Sequence, residues 1–329
     1  MEQAIKDFHK QFAWKAVVLG GSTSKTPKEV EPRRFKKFVL NGMGGSHLAA
    51  DLLRVYDPKL DLTVVSDYGL PELPAARLKG ALLIASSFSG NTEEAIDFAE
   101  QALKQKLPLA VIAKGGKLLE FAKAHQLPHV ALPQTTIQPR SGLGFQMIAL
   151  AALIGNKKLL QELGACTESL RPEELAGKGE ALAGHLRSKL PVIYSSARNS
   201  AVAYNWKIKF NETGKIPAFY NVFPELNHNE MTGFDIIGTT EGLSRKFHFL
   251  FLTDSTDHPQ NRKRMQVTRK LYEDRGIPVT EVALEGSSTL ERIFTSLLTA
   301  DWTAVHLSKI YGTEAEQVPM VEEFKRLVS

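Results

Sequence analysis

Two short stretches combine glycine with hydroxyl side chains in a way that suits an anion. The first is Phe38-Val39-Leu40-Asn41-Gly42-Met43-Gly44-Gly45-Ser46, an apolar run entering a glycine-rich turn. The second is Leu82-Leu83-Ile84-Ala85 followed by Ser86-Ser87-Phe88-Ser89-Gly90-Asn91-Thr92. Glycines let backbone NH groups converge, a helix starting after such a turn presents its positive end, and Ser and Thr hydroxyls add donors. Together these groups can hold a phosphate monoester without a lysine. Two commoner ligands are disfavoured: His47 stands where the third glycine of a G-x-G-x-x-G dinucleotide turn belongs, and no Gly-Lys-Ser/Thr of a nucleotide triphosphate loop follows. A structural reading covers part of the second stretch, with Asn91 as a helix N-cap and Glu94 reaching back in a capping box. It leaves Ser86, Ser87 and Ser89 without a purpose. Both turns, with Gly45 and Ser46 in the first and Ser86, Ser87, Ser89 and Thr92 in the second, are therefore candidate phosphate-binding loops.

Such turns have to be delivered by strands and helices, and the surrounding pattern supplies them. Short aliphatic runs alternate with longer stretches whose apolar residues fall on one helical face, which predicts parallel sheet covered by helices. In the first half the strands are expected at 38–40, 62–66, 81–86, 109–113 and 129–131, with helices at 46–55, 92–104, 117–125 and 141–154. Gly155-Asn156 reads as a stop. The charged segment from Glu168 to Gly184 reads as a solvated helix or linker. Strands at 192–195, 218–220, 247–253 and 279–283 follow, with helices at 199–211, 261–275, 289–311 and 318–328. The expectation is two similar α/β units, residues 1–155 and 156–329, with 22–37 as a surface loop.

Composition sets outer limits. The 329 residues are 43% hydrophobic and 23% charged, with 24 Gly and 16 Pro, as in ordinary globular proteins rather than fibrous or disordered chains. A net charge of +5 accommodates an anionic small ligand. Cys166 is the single cysteine, so no intrachain disulfide or cysteine-based zinc cage can form, which fits a reducing compartment and a cytoplasmic location. Met1 to Gln11 lacks the apolar core of a signal peptide, and no window approaches the ~20 apolar residues of a membrane span. The basic groups Arg33-Arg34-Phe35-Lys36-Lys37 and Arg262-Lys263-Arg264 form no stripe of alternating aromatics and carry no helix-turn-helix or other reading motif, so they read as solvated faces, not as a nucleic-acid surface.

The two hydroxyl-bearing turns resemble the sugar isomerase (SIS) domain, whose Ser and Thr residues hold a sugar phosphate. The second half narrows the likeness. Phe210-Asn211-Glu212-Thr213-Gly214-Lys215-Ile216-Pro217-Ala218 and Pro224-Glu225-Leu226-Asn227-His228-Asn229-Glu230 resemble the bifunctional phosphoglucose/phosphomannose isomerase family, over about residues 11–325. The resemblance implies two SIS-type domains, each a mostly parallel sheet flanked by helices. It also implies a homodimer with active sites at the subunit interface and neither metal nor cofactor. The implied reaction interconverts fructose 6-phosphate with glucose 6-phosphate, extending to mannose 6-phosphate, through a cis-enediol.

That reaction has three tasks: opening the ring, moving one proton between adjacent carbons, and stabilising an enediolate. Glu212, expected at the end of a helix, matches the family's catalytic glutamate. His228 matches the ring-opening histidine, which in the family comes from the neighbouring subunit; its Asn and Glu neighbours would equally surround a structural imidazole. Arg140, in a loop between the last strand of the first half and its closing helix, matches the arginine that stabilises the enediolate. Lys325 lies where the family's C-terminal helix carries a second ring-opening group, a place where a lysine is as readily just solvated. Two other readings remain open, a non-catalytic sugar-phosphate sensor and an isomerase for another sugar phosphate. A metal-dependent isomerase is disfavoured because His228 has no second histidine at ligand spacing.

Overall fold

The computed structural model describes residues 1–20, the pair Lys28–Glu29 and residues 35–328. The chain divides into two compact units, Asp7–Ser169 and Met1–Lys6 with the chain from Leu170 onward. The sequence expectation puts the division after Gly155 instead. The intervening helix packs with the first unit, and the first helix, α1 (Glu2–Lys6), belongs with the second through an ion pair from Glu2 to Lys309 at 2.7 Å.

In the first unit, strands β1 (Leu19–Gly20) to β7 (His129–Ala131) form one sheet in the order β2-β1-β7-β6-β5-β3-β4. The parallel part comprises β3 (Lys37–Asn41), β4 (Asp61–Val65), β5 (Leu82–Ser87), β6 (Leu109–Ala113) and β7, while β1 adds antiparallel to β7 and β2 (Lys28–Glu29) to β1. The rest of the predicted loop at 22–37, with Pro27, Pro32, Arg33 and Arg34, lies outside the described residues up to Phe35. Helices α2 (Gly45–Tyr56), α3 (Ala75–Lys79), α4 (Glu93–Lys104), α5 (Gly116–Ala124), α6 (Leu143–Leu153) and α7 (Lys157–Ser169) follow the strands. β5 is buried on both faces, and Leu83, Ala85, Phe98, Val111 and Leu118 pack into one core.

β3 runs through α2 to β4 on one side, and the chain then crosses to β5 on the other. The crevice between β3 and β5 is thus the place where an open parallel sheet leaves room for a ligand at its carboxyl edge. Both hydroxyl-bearing turns emerge there.

The second unit has a smaller parallel sheet, β11-β10-β8-β9, from β8 (Leu190–Ser196), β9 (Phe219–Phe223), β10 (Phe247–Thr253) and β11 (Val279–Ala283). Helices α8 (Ala176–His185), α9 (Ser200–Glu212), α10 (Glu241–Ser244), α11 (Pro259–Glu273), α12 (Thr289–Tyr311) and α13 (Pro319–Val328) surround it. Val192, Tyr194, Phe223, Phe249, Phe251 and Tyr272 form an aromatic-rich core on one side.

The segment expected to be solvated contributes to this unit's interior. In α8, Leu182 and Ala183 are buried, and a Cβ at Gly179 would come within 2.4 Å of the Trp302 Cβ on α12. Its Lys and Glu residues mask a narrow packing stripe.

α9 is locked to α12 by polar contacts rather than by apolar packing alone. The Trp206 Nε1 donates to Ser296 Oγ at 2.9 Å, and the Lys209 ammonium meets the Asp301 carboxylate at 2.6 Å with side chains 2% and 5% exposed. A buried charge without its partner is far costlier than the intact pair. Lys209→Met is therefore expected to lower unfolding free energy by about 3 kcal/mol in urea titration, and Lys209→Met/Asp301→Leu to recover most of the loss. A loss under about 1 kcal/mol in the single variant would mean that Asp301 is solvated and the lock is not a buried pair.

Candidate active site

The glycine-rich turn is shaped by what it touches. Gly44 adopts φ +50°, open to glycine, and α2 starts immediately after it. A Cβ at Gly45 would lie 2.8 Å from Pro139 and 3.0 Å from the Arg140 nitrogen, so glycine is what lets these two loops touch. Arg140 is buried in a short 3-10 turn, Pro139–Ser141, that leads into α6. Gln11 secures that turn, donating to Ser141 O at 2.7 Å and accepting from Gly144 N at 3.1 Å, and Gln146 donates to Pro139 O at 3.0 Å. Three sequence-predicted residues, Gly45, Ser46 and Arg140, thus converge at the start of α2.

The second turn is tied to the first. Ser46 Oγ accepts from Phe88 N at 2.8 Å, and Ser86 Oγ donates to Ser46 O at 2.9 Å. Ser87, fully buried, organises the turn from within: its Oγ accepts from Gly90 N at 3.0 Å and Thr92 N at 3.4 Å and shares a hydrogen with Thr92 Oγ1 at 2.7 Å. Ser89 is exposed and accepts from Asn91 N at 3.2 Å. The capping box is not formed. Thr92 occupies the N-cap of α4, and the Asn91 side chain instead accepts from Lys117 N at 3.1 Å, clamping the turn to the start of α5. Gly90 is needed there, since at φ +80° a Cβ would lie 1.7 Å from Gly115 O. The result is a ring of hydroxyls and NH groups around a helix start, an arrangement that favours anions.

In the second unit, Glu212 is the last residue of α9, one residue beyond the predicted end. The chain turns sharply after it: Thr213 N and Gly214 N both donate to Lys209 O, at 2.9 and 3.1 Å, and Ile216 N to Phe210 O at 3.2 Å. A Cβ at Gly214 would meet Phe210 O at 2.8 Å. Lys215, at φ +56°, donates its ammonium hydrogens to the carbonyls of Glu212 and Gln317, tying the segment before α13 to the end of α9. Within the motif at residues 211–218 the sequence alone gives Lys215 no task; its signal is the lysine three residues beyond the helix-terminal carboxylate.

His228 ends the 3-10 turn Glu225–His228, after β9. Its imidazole is exposed, with no hydrogen-bond partner among the described residues. The last candidate, Lys325, lies on α13, whose described residues are all exposed, and its ammonium pairs with Glu322 one turn back at 2.7 Å. No group of three or more His, Cys, Asp or Glu suited to a metal ion occurs among the described residues. None of their helices is long and apolar enough to cross a membrane. Arg262, Lys263 and Arg264 are exposed along α11.

Comparison with known proteins decides the family. Residues 176–328 match the model of the bacterial phospho-glucose isomerase C-terminal SIS domain. The chain is 31% identical over 329 residues to the bifunctional phosphoglucose/phosphomannose isomerase of Aquifex aeolicus, covering 98% of this chain and 96% of that one. The chain belongs to the bifunctional phosphoglucose/phosphomannose isomerase family. The family's protein from Caldicellulosiruptor bescii is 32% identical over 313 residues, covering 90% of each. The fold is shared more widely. A hypothetical protein of Thermus thermophilus superposes with a TM-score of 0.69 at 18% identity, covering 99% of this chain and 86% of that one. The C-terminal domain of a glucosamine-fructose-6-phosphate aminotransferase from Francisella tularensis gives 0.64 at 13% identity, covering 96% and 95%.

For this family member the packing at Gly45 has a measurable consequence. Gly45→Ala must push the Pro139–Ser141 turn away from α2, and fructose 6-phosphate binding, measured calorimetrically, is expected to weaken roughly ten-fold or more, as for other small displacements of positioning loops. Unchanged affinity would separate this turn from the binding site.

Proposed function

We propose that the protein is a sugar-phosphate isomerase that interconverts fructose 6-phosphate with glucose 6-phosphate and mannose 6-phosphate by proton transfer through a cis-enediol. The observation that carries this reading is the end of α9, where a carboxylate is held on a helix terminus fixed by the buried Lys209–Asp301 pair and by Lys215. A single carboxylate in a fixed place is what proton removal and return require. The substrate phosphate is assigned to the ring formed by Gly45, Ser46, Ser87, Ser89 and Thr92. His228 takes the proton of the anomeric hydroxyl and delivers one to the ring oxygen, opening the sugar. Glu212 then removes a proton from C1 of the open ketose, negative charge collects on the C2 oxygen, and the Arg140 guanidinium stabilises it. The O1 proton passes to O2, and return of the carbon-bound proton to C2 on one face gives glucose 6-phosphate and on the other mannose 6-phosphate. Lys325 is assigned to ring opening beside His228, which requires release of its ammonium from Glu322.

The working form is a homodimer in which His228 serves the partner's Glu212. Glu212 precedes β9 and His228 follows it, so the two leave opposite edges of the small sheet, with a five-residue strand of roughly 15 Å between them. Proton transfer demands contact distances, and a second copy can supply the histidine where the same copy's is remote. The single cysteine and the phosphorylated substrates support a cytoplasmic enzyme.

Mixing tests both halves of this proposal. Glu212→Gln and His228→Ala should each fold as dimers with turnover reduced at least about 100-fold, since each removes a general acid–base group. Dissociated and reassociated together, the two inactive variants should regain activity, because mixed dimers contain one site with both groups intact. No recovery on mixing would place both residues in one subunit's site, and full activity in either single variant would remove that residue from its role.

A further inference from the structure

Beyond the residues that touch substrate, the His228 loop carries an anchoring device. We infer that Glu230 is the positioning residue for His228, acting through a three-part hydrogen-bonded anchor with Tyr194 and Asn221. The inference rests on the proposed ring-opening role of His228 and deepens it.

The two Glu230 carboxylate oxygens take different partners on different strands: Oε1 accepts from the Tyr194 hydroxyl on β8, and Oε2 from the Asn221 amide on β9. Tyr194 is a fixed point. Its ring is fully buried, with the rings of Phe223, Phe249 and Phe251 at centroid distances of 5.7, 5.0 and 5.5 Å, so the hydroxyl cannot follow a moving loop. Burial and the adjacent carboxylate push its pKa far up, so it stays a hydrogen donor at any working pH.

The other side of the loop is pinned as well. Asn227 donates to Thr268 Oγ1 on α11 at 2.8 Å, and Asn229 donates to Glu225 Oε1 at 2.8 Å while its own Oδ1 accepts from Glu230 N at 2.6 Å. His228 is therefore exposed between Asn227, which is tied to α11, and Asn229, which is tied to Glu225 and Glu230 of its own turn. Its backbone is fixed although its ring is free to meet a sugar, which is what a group supplied to another molecule's substrate needs. The Asn-His-Asn-Glu string is explained as a unit: one residue for chemistry and three for suspension. A carboxylate placed only to stabilise the fold would not need to bridge two strands beside an exposed histidine.

The test compares a substrate that must be opened with one that is already open. Fructose 6-phosphate is the first; 5-deoxyfructose 6-phosphate, lacking the hydroxyl that closes the five-membered ring, is the second and needs only proton exchange at C1. Tyr194→Phe removes one hydroxyl without altering the packed ring, and Glu230→Gln keeps an acceptor for only one of the two donors. Both variants should lose about ten-fold in kcat on fructose 6-phosphate with KM nearly unchanged, a tenth part or less of what a general acid–base group supplies. C1 exchange on the open analogue should stay within about two-fold of wild type, because Glu212 is untouched. Equal losses on both substrates, or no loss on the closed one, would overturn the assignment by making the anchor structural or idle. A wild-type protein that acts on neither substrate would remove the isomerase reading itself, an outcome distinct from either variant result.

Discussion

A lysine ammonium and an aspartate carboxylate, 2.6 Å apart and almost out of water, hold α9 on α12 in the second unit. Their mutual dependence is what fixes the register of α9: sliding the helix by one residue would separate two charges that cannot be solvated where they are. Glu212 lies three residues beyond Lys209, so the same constraint sets where the carboxylate ends up. The turn that follows uses the Lys209 carbonyl twice as an acceptor, and Lys215 closes it from outside. An ion pair of this kind adds little net stability over a hydrophobic replacement, but it penalises every alternative placement, and placement is what a proton-transfer base needs.

The first unit meets the corresponding demand for an anion by different means. Its groups are mostly neutral hydroxyls and backbone NH groups, and their positions are set by glycines at contact distances and by hydroxyls that bond each other's loops. Ser87 shows the division of labour: wholly buried, it shapes the turn for Thr92 and Gly90, and the proposed phosphate contact falls to them. Ser89 is exposed at the rim. The proposed binding and chemistry thus rest on strand ends and helix ends rather than on long loops.

Much of this was legible in the sequence because each strand is short, apolar and bounded, and because the helices between them carry an unbroken periodic face. What was not legible has specific causes. Gly155-Asn156 reads as a stop, yet Gly155 ends α6 at φ +69° while Asn156 Oδ1 accepts from Leu159 N at 3.0 Å and starts α7, so one dipeptide serves two helices. The charged segment before β8 hides its packing stripe because only Leu182, Ala183 and a glycine make the contact. Asn91 was read as a local cap, but its partner, Lys117, is 26 residues away. Asp301 left a signal that a sequence can show, as the one charge between Arg292 and Lys309 in an otherwise apolar helical stretch, whereas Lys209 shares its helix face with Asn205 and Glu212 and does not stand out. The hydrogen bonds of Glu230 cross between a loop and two strands, and only the folded chain brings those partners together.

The proposed reaction moves one proton between adjacent carbons of a hexose 6-phosphate. It is tested most directly by proton NMR of the wild-type protein with fructose 6-phosphate in heavy water containing a chelator. Glucose 6-phosphate and mannose 6-phosphate are expected with deuterium in at least part of the C2 population, because the proton held on Glu212 exchanges with heavy water before some of it is returned, at a rate the chelator does not change. An aldose carrying no deuterium at C2 in any fraction, one formed only when metal is added back, or no aldose at all would overturn it.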